Sequence, residues 1–360
     1  MKIALFLGAG ASVPYHKPTT TQLKELLSEK YGGNPYAHLL DHNQLPDIEY
    51  VLSAIKQTLE YSTTHGGEFL KTYDQTFFNL ITGLKNVKEH FENEVFDNYS
   101  WNNDDDNTVN AILNPIFKMI SDNSQEVIVF TTNYDRAIEE FCSNDDNHYR
   151  CIDGFKLHED SDRFLWNDGD YSYADSIQNK TKVFLYKIHG SLNWKKHRKY
   201  GIEKTTYERK PQDPNYEEDF LIYPTLSPKE EANGREPYNT ILKKFDEIMK
   251  SIDVCIVIGF SFRDEHINEK FKEFVDRGGT LIAISPSSQY DFRTRILNHT
   301  PTEEEKQAWE NLPYARLTGT GGKDSVNWNI QFVQKRLEIG TIKEILHDIT
   351  RTLQPKEHLF

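Results

Sequence analysis

Met1-Lys2-Ile3-Ala4-Leu5-Phe6-Leu7-Gly8-Ala9-Gly10-Ala11-Ser12 opens the chain with one lysine, five apolar residues and a run of small ones. A lysine, an apolar run and small residues superficially mimic a secretion signal. The run is too short for a secretory core, however, and a polar helical segment follows without a break. Ile3 to Leu7, ended by Gly8, reads instead as a strand buried on both faces, with a small-residue turn beyond it. Thr19 and Gln22 are spaced as a capping box for a helix through Lys30, with Leu23, Leu26 and Leu27 on its inner face.

The same grammar recurs along the chain. Residues 126–130 form a second apolar strand before Thr131-Thr132-Asn133-Tyr134-Asp135 and a helix through Phe141. Val183 to Ile188 make a third, before His189-Gly190-Ser191, and a strand at 220–223 runs into Pro224. Val254 to Ile258 end in Gly259-Phe260-Ser261, and a helix from about Asp264 to Asp276 leads to a strand over Thr280 to Ile284. Strands alternating with helices predict an α/β fold: a Rossmann-like parallel sheet of about six strands with helices on both faces. Residues 32–125 read as a mostly helical insertion, where Phe77, Leu80, Ile81, Leu84, Phe91 and Val95 keep a spacing near 3.6. Residues 195–219 read as charged and irregular, with Lys195-Lys196-His197-Arg198-Lys199 a solvated basic run. The expected division is a core over 1–290 and a helical extension over 291–360, packed on the core or used in assembly. Its apolar positions are Phe332, Val333, Leu337, Ile342, Ile345, Leu346 and Ile349.

Among 360 residues, 42 are Lys or Arg and 56 are Asp or Glu, a formal net charge of −14. That balance disfavours direct nucleic-acid binding through overall charge. No stretch approaches the roughly 20 apolar residues needed to span a bilayer, so no membrane role is expected. The three cysteines, Cys142, Cys151 and Cys255, form no Cys-x-x-Cys pair. They fit reduced thiols in a cytoplasm and offer no cysteine zinc site. The thirteen histidines include no His-x-x-x-His, so no protein-held metal is expected.

In an open parallel sheet, ligands bind beyond the carboxyl ends of the strands. Four apolar strands here end in small or functional polar residues, at Gly8–Ser12, Thr131–Asp135, His189–Ser191 and Gly259–Ser261. Gly8-Ala9-Gly10 supplies a turn whose backbone N–H groups could meet a pyrophosphate, although Val13 stands where a dinucleotide fingerprint has its third glycine. The acid of a dehydrogenase, about 20 residues on, is missing because residues 19–30 read as helix. Plainer roles exist for each residue. Asn133, Asp135 and Asp264 also have the chemistry of helix caps, His189 that of a strand-end histidine bonded to backbone, and Trp194 that of a packing residue beneath the site.

Taken in order, Gly8-Ala9-Gly10-Ala11-Ser12, Thr131-Thr132-Asn133-Tyr134-Asp135, His189-Gly190 and Gly259-Phe260-Ser261 resemble the sirtuin superfamily. They look most like the bacterial sirtuin-like domains of antiphage defence systems, and Ile258 to Asn268 is especially similar to that branch. Thr132 stands where deacylases carry Gln, and residues 191–219 contain none of the zinc-binding cysteines that follow the His-Gly motif in deacylases. The resemblance implies hydrolysis of NAD+ itself, with no metal. It gives Asn133 and His189 the catalytic roles, with Asp135 on the nicotinamide side or orienting its neighbours. Gly8, Ala9, Gly10, Ala11, Ser12 and Thr132 would hold the nucleotide, Gly259 and Ser261 would lie near the adenosine-side ribose, and Asp264 is a further contact. A homo-oligomer is implied, as is a hexameric DNA-translocating ATPase or a short Argonaute as partner. Three alternatives stay open: a non-catalytic NAD or ADP-ribose sensor, a protein deacylase or ADP-ribosyltransferase, and a nuclease acting with such an ATPase.

Overall fold

Every residue of β1 (Ile3–Leu7) is buried, as a strand covered on both faces requires. The computed structural model describes residues 1–31, 48–144, 148–159, 162–167, 171, 179–209, 213–222, 234–310, 314–321 and 326–353. Among the described residues, β1 is followed by α1 (Thr20–Tyr31), α2 (Ile48–Tyr61), α3 (His65–Tyr73), α4 (Gln75–Tyr99) and α5 (Asp106–Ser121). Then follow β2 (Val127–Thr131), α6 (Ala137–Ser143), β3 (Tyr149–Ile152), β4 (Phe155–Leu157), β5 (Phe164–Trp166), β6 (Thr181–Lys187), β7 (Gly190–His197), β8 (Gly201–Lys204) and β9 (Tyr216–Leu221). The last part holds α7 (Tyr238–Met249), β10 (Val254–Ile258), α8 (Glu265–Asp276), β11 (Thr280–Ile284), α9 (Ser288–Arg295), α10 (Glu303–Glu310), β12 (Tyr314–Gly321), β13 (Val326–Val333) and α11 (Ile342–Leu353).

The main sheet runs β12-β13-β11-β10-β1-β2-β6-β3, parallel throughout except for β12, which pairs antiparallel with β13 at the edge. This is the expected Rossmann-like α/β fold, with seven parallel strands where about six are expected. Alternation along β1 divides the core. Ala4 and Phe6 face a cluster with Phe245 of α7, Phe271 of α8 and Phe292 of α9. Ile3, Leu5 and Leu7 face one with Ile112 and Ile116 of α5, Phe141 of α6 and Ile345 of α11. Burying a Leu, Ile or Phe side chain contributes about 1.5–3 kcal/mol, so these two faces supply most of the driving force.

The helical insertion packs as a third cluster, Leu23 of α1 and Ile55 of α2 against Leu84, Phe91 and Val95 of α4. The capping box is formed: Thr19 N donates to Gln22 Oε1 at 2.8 Å and Gln22 N to Thr19 Oγ1 at 3.3 Å. Leu23 is buried as expected, but Leu26 is exposed; the Leu27 side chain, the insertion's residues 32–47 and Pro224 lie outside the described residues.

Two segments differ from expectation. Within residues 195–219 the described residues include the end of β7, all of β8 and most of β9, which join β4 and β5 in an antiparallel sheet ordered β4-β5-β8-β7-β9, where an irregular segment is expected. Lys195 and His197 of the basic run are buried there, Lys195 Nζ donating to the Leu192 and Glu208 carbonyls. Trp194 packs in the core, 5.0 Å from the Phe155 ring centre. The tail is helical in α9, α10 and α11, with Ile342, Ile345 and Ile349 buried as expected, but Phe332 and Val333 belong to β13. A buried parallel neighbour, β11, makes a strand of that segment.

Candidate active site

The four singled-out strand ends belong to β10, β1, β2 and β6, which are consecutive neighbours in the sheet. At about 4.8 Å per strand their carboxyl ends span roughly 14 Å. The chain leaves β1 for β2 on one side and later returns to β10 on the other, so the crevice between the β1 and β10 ends is a topological switch point.

That crevice is built from backbone in close contact. Gly8 N donates to Ile258 O at 2.9 Å and Gly10 N to Gly259 O at 2.9 Å. Gly259 has φ +67°, and a Cβ there would lie 2.2 Å from Ala11 N. A Cβ on Gly8 would lie 2.6 Å from Phe260 Cα. Only glycine permits this meeting of two turns. The amides of Ala11 and Ser12 are turned inward as well, bonding Gly8 O at 2.9 Å and Ala9 O at 3.1 Å.

Behind the turn lies a buried polar network. Ser12 Oγ donates to Asp135 Oδ2 at 2.6 Å, and Asp135 Oδ1 accepts from Ala137 N at 3.0 Å. Asn133 Nδ2 donates to Ser12 Oγ at 2.8 Å and to Gly8 O at 3.0 Å, while its own N–H donates to Thr131 Oγ1 at 3.0 Å. Both amide hydrogens of Asn133 are thereby used, and Oδ1 is the group its side chain can offer a ligand. Lys187, buried at the end of β6, donates to the Asp135 carbonyl and stands 3.2 Å from Glu139 Oε1, fixing the turn from the other side. Burial, with Asp135 nearby, pushes the hydroxyls of Tyr15 and Tyr99 above their ordinary range, so both stay neutral.

His189 sits where β6 gives way to β7. The next residue, Gly190, has φ +83°, and a Cβ there would lie 2.5 Å from Phe220 O, so the chain can leave the parallel sheet here only through glycine. His189 Nε2 stands 3.3 Å from Asp264 Oδ2, at ion-pair distance but too bent for a hydrogen bond. Asn268 Nδ2 bonds Phe262 O at 2.6 Å and holds the turn after β10, where Phe262 takes φ +52°.

A cavity of about 790 Å3 opens above these ends. Of the expected site residues, Ala9, Gly10, Thr132, Asn133, His189, Gly259, Ser261 and Asp264 line it, whereas Gly8, Ala11, Ser12 and Asp135 do not. Gly8, Ala11, Ser12 and Asp135 support the wall from behind. Sequence reading passes over three other parts of the lining: Thr20 and Gln22 at the start of α1, Arg263 and Glu269 around α8, and Lys335 and Arg336 beyond β13. The signal for the last was present, because Val326-Asn327-Trp328-Asn329-Ile330-Gln331-Phe332 alternates with the period of a strand. Among the described residues no group of three or more His, Cys, Asp or Glu could hold a metal ion, and no helix is long and apolar enough to cross a membrane.

No curated protein matches the chain. Similar solved structures include a Sir2 homologue complexed with NAD, 11% identical with a TM-score of 0.45 over 98% of this chain and 90% of that one. A Sir2 homologue mutant complexed with ADP-ribose is 11% identical, with a TM-score of 0.43 over 98% of this chain and 92% of that one. The SIR2-like domain family matches residues 127–312, more than half of the sequence, from β2 through α10. By that match, which takes in Asn133, His189 and the turn after β10, the chain belongs to the SIR2-like domain family.

Proposed function

We propose that the chain is an NAD+ glycohydrolase, cleaving the nicotinamide–ribose bond to give nicotinamide and ADP-ribose. The observation that carries this reading is the placement of Asn133 and His189 on the wall of one cavity whose floor is the Gly10–Gly259 contact. Nicotinamide leaves as a neutral molecule and needs no acid to expel it. The protein's tasks are to orient the ribose, hold the diphosphate and admit water to the anomeric carbon. With its amide hydrogens used, Asn133 presents Oδ1 as an acceptor for a water or a ribose hydroxyl. His189 accepts the proton as the water oxygen bonds to the anomeric carbon, and the electron pair of the breaking C–N bond returns to the nicotinamide ring. Resemblance of the four strand ends to defence-associated sirtuin-like domains supports NAD+ as the substrate.

On the same resemblance, the protein acts in the bacterial cytoplasm as an NAD-depleting effector of antiphage defence. Continuous NAD+ loss would kill the host, so its activity is held low until a homo-oligomer forms or a partner binds. A hexameric DNA-translocating ATPase and a short Argonaute are the partner classes proposed. The test is NAD+ consumption with product identification, for the purified protein alone and with the products of neighbouring genes, beside Asn133→Ala and His189→Ala. Nicotinamide release lost in both folded variants is the expected result. Saturable NAD+ binding without turnover would replace the hydrolase with a sensor. Product formed only with a peptide acceptor would make it a transferase or deacylase.

A further inference from the structure

Asp264 reads from the sequence as one more nucleotide contact, yet both of its oxygens have duties inside the chain. Oδ1 accepts from His266 N at 3.1 Å and Ile267 N at 3.3 Å, capping α8. Oδ2 is the oxygen 3.3 Å from His189 Nε2. The cap alone does not call for an aspartate, since Asn or Ser caps a helix equally well. Nor is the approach to His189 a local accident, because β1 and β2 lie between β6 and β10 in the sheet. Only the loop after β10, arching over the crevice, brings the two side chains together.

We infer that Asp264 is a positioning residue for His189: its Oδ2 keeps the imidazole proton on Nε2 and leaves Nδ1 as the nitrogen that takes the proton during hydrolysis. This rests on the glycohydrolase reading for its consequence, but not for the pairing itself. A carboxylate beside one ring nitrogen fixes the tautomer and stabilises the imidazolium that forms. Catalytic hydrogen bonds are often long or bent without ligand and tighten in the complex. Burial pushes the Asp264 carboxyl up, but His189, the amide of Ile267 and His266 together hold it below the ordinary carboxylate range, so it is charged wherever the enzyme would work.

Among the described residues, the other charged or titratable groups lining the cavity are Arg263, Glu265, His266 and Glu269 from the α8 side, Asp291 of α9, Tyr99 of α4, Tyr134 of the turn after β2, and Lys335, Arg336 and Glu338 beyond β13. Asp135 lies behind Asn133, and Lys187 is engaged by Glu139.

Asp264→Asn is the deciding variant, because its remaining oxygen can still cap α8 while the charge facing His189 is gone. Histidine labelled with 15N in the ring, with His189→Gln to assign the signals, shows directly which nitrogen carries the proton. Expected is a wild-type His189 protonated on Nε2 that loses this preference in Asp264→Asn, with an unchanged melting temperature. In turnover, kcat should drop at least about tenfold while KM for NAD+ stays. An unchanged His189 tautomer in a folded Asp264→Asn protein would overturn the pairing. A raised KM with an unchanged kcat would return Asp264 to the nucleotide. If the wild type consumes no NAD+, the glycohydrolase reading fails while the ring-nitrogen spectrum still decides the pair.

Discussion

Ser12 reaches Asp135 at 2.6 Å, a buried hydrogen bond that ties the turn after β1 to the turn after β2. The same hydroxyl accepts from Asn133 at 2.8 Å, so one serine fixes the orientation of the amide proposed to face the substrate. Ser12 is 2% exposed and does not line the cavity. Its influence on a ligand is therefore indirect. Ser12→Ala leaves Asp135 Oδ2 and one Asn133 hydrogen without a partner, a cost of about 1–3 kcal/mol in stability. Asn133 is then held through its bond to Gly8 O alone, and kcat should fall more than KM rises. Denaturant melts and steady-state kinetics on the one variant check both. Unchanged stability with a raised KM alone would restore Ser12 as a phosphate contact.

Two glycines with positive φ offer a controlled comparison. Gly259→Ala would place its Cβ 2.2 Å from Ala11 N and 2.4 Å from Gly10 C, contacts made by backbone that cannot swing aside. Gly201, in the same left-handed region at φ +78°, has nothing within 4 Å of the added atom. Gly201→Ala should therefore cost only the backbone term of about 1–2 kcal/mol. Gly259→Ala should cost well beyond that and fail to accumulate as folded protein. Equal melting temperatures would mean that the Gly10–Gly259 contact is not as tight as described.

Strand ends carried most of what was legible beforehand. Gly8, Asn133, His189 and Gly259 each terminate a buried apolar run, and short apolar runs mark buried parallel strands plainly. Which strands adjoin which is a long-range matter, and the adjacency of β10, β1, β2 and β6 emerges only from the fold. The second sheet was hidden because Lys195 and His197 look like surface residues, whereas β7 buries them by bonding Lys195 Nζ to carbonyls and His197 Nδ1 to the amides of Lys199 and Tyr200. β13 was hidden for the opposite reason: Phe332, Val333 and Leu337 satisfy a helical spacing as well as a strand one. Tertiary pairing with β11 decides between them.

The start of α1 reaches the cavity because the loop before it is clamped to the insertion. Lys17 Nζ donates to Asp105 Oδ2 at 2.9 Å and to Ser100 O at 2.7 Å, and Tyr99 Oη donates to Pro18 O at 2.6 Å. Lys17 and Asp105 are both buried, so Lys17→Met strands a carboxylate away from water and should cost about 3–5 kcal/mol. Tyr99→Phe removes one hydrogen bond, about 1 kcal/mol, but loosens the same clamp. Its expected signature is a KM for NAD+ raised a few-fold with little change in kcat. Loss of kcat at constant KM would mean that Tyr99 meets the reacting ribose instead.

Thiol chemistry separates the proposed mechanism from one using cysteine. Cys255 lies on β10 with no exposure, and burial pushes its thiol far above the ordinary range. On β3 the Cys151 thiol is raised by its hydrogen bond with Cys142 and by burial. A thiol held above its usual value has little thiolate at neutral pH, and thiolate is the reactive form. Iodoacetamide at pH 7.5 should therefore leave Cys151 and Cys255 unmodified in the native protein and label all three cysteines in urea. Intact-mass spectrometry counts the additions, and NAD+ consumption after native treatment should match the untreated enzyme. Rapid native labelling that abolishes turnover would bring a cysteine into the site and remove the case for water, Asn133 and His189 acting without one.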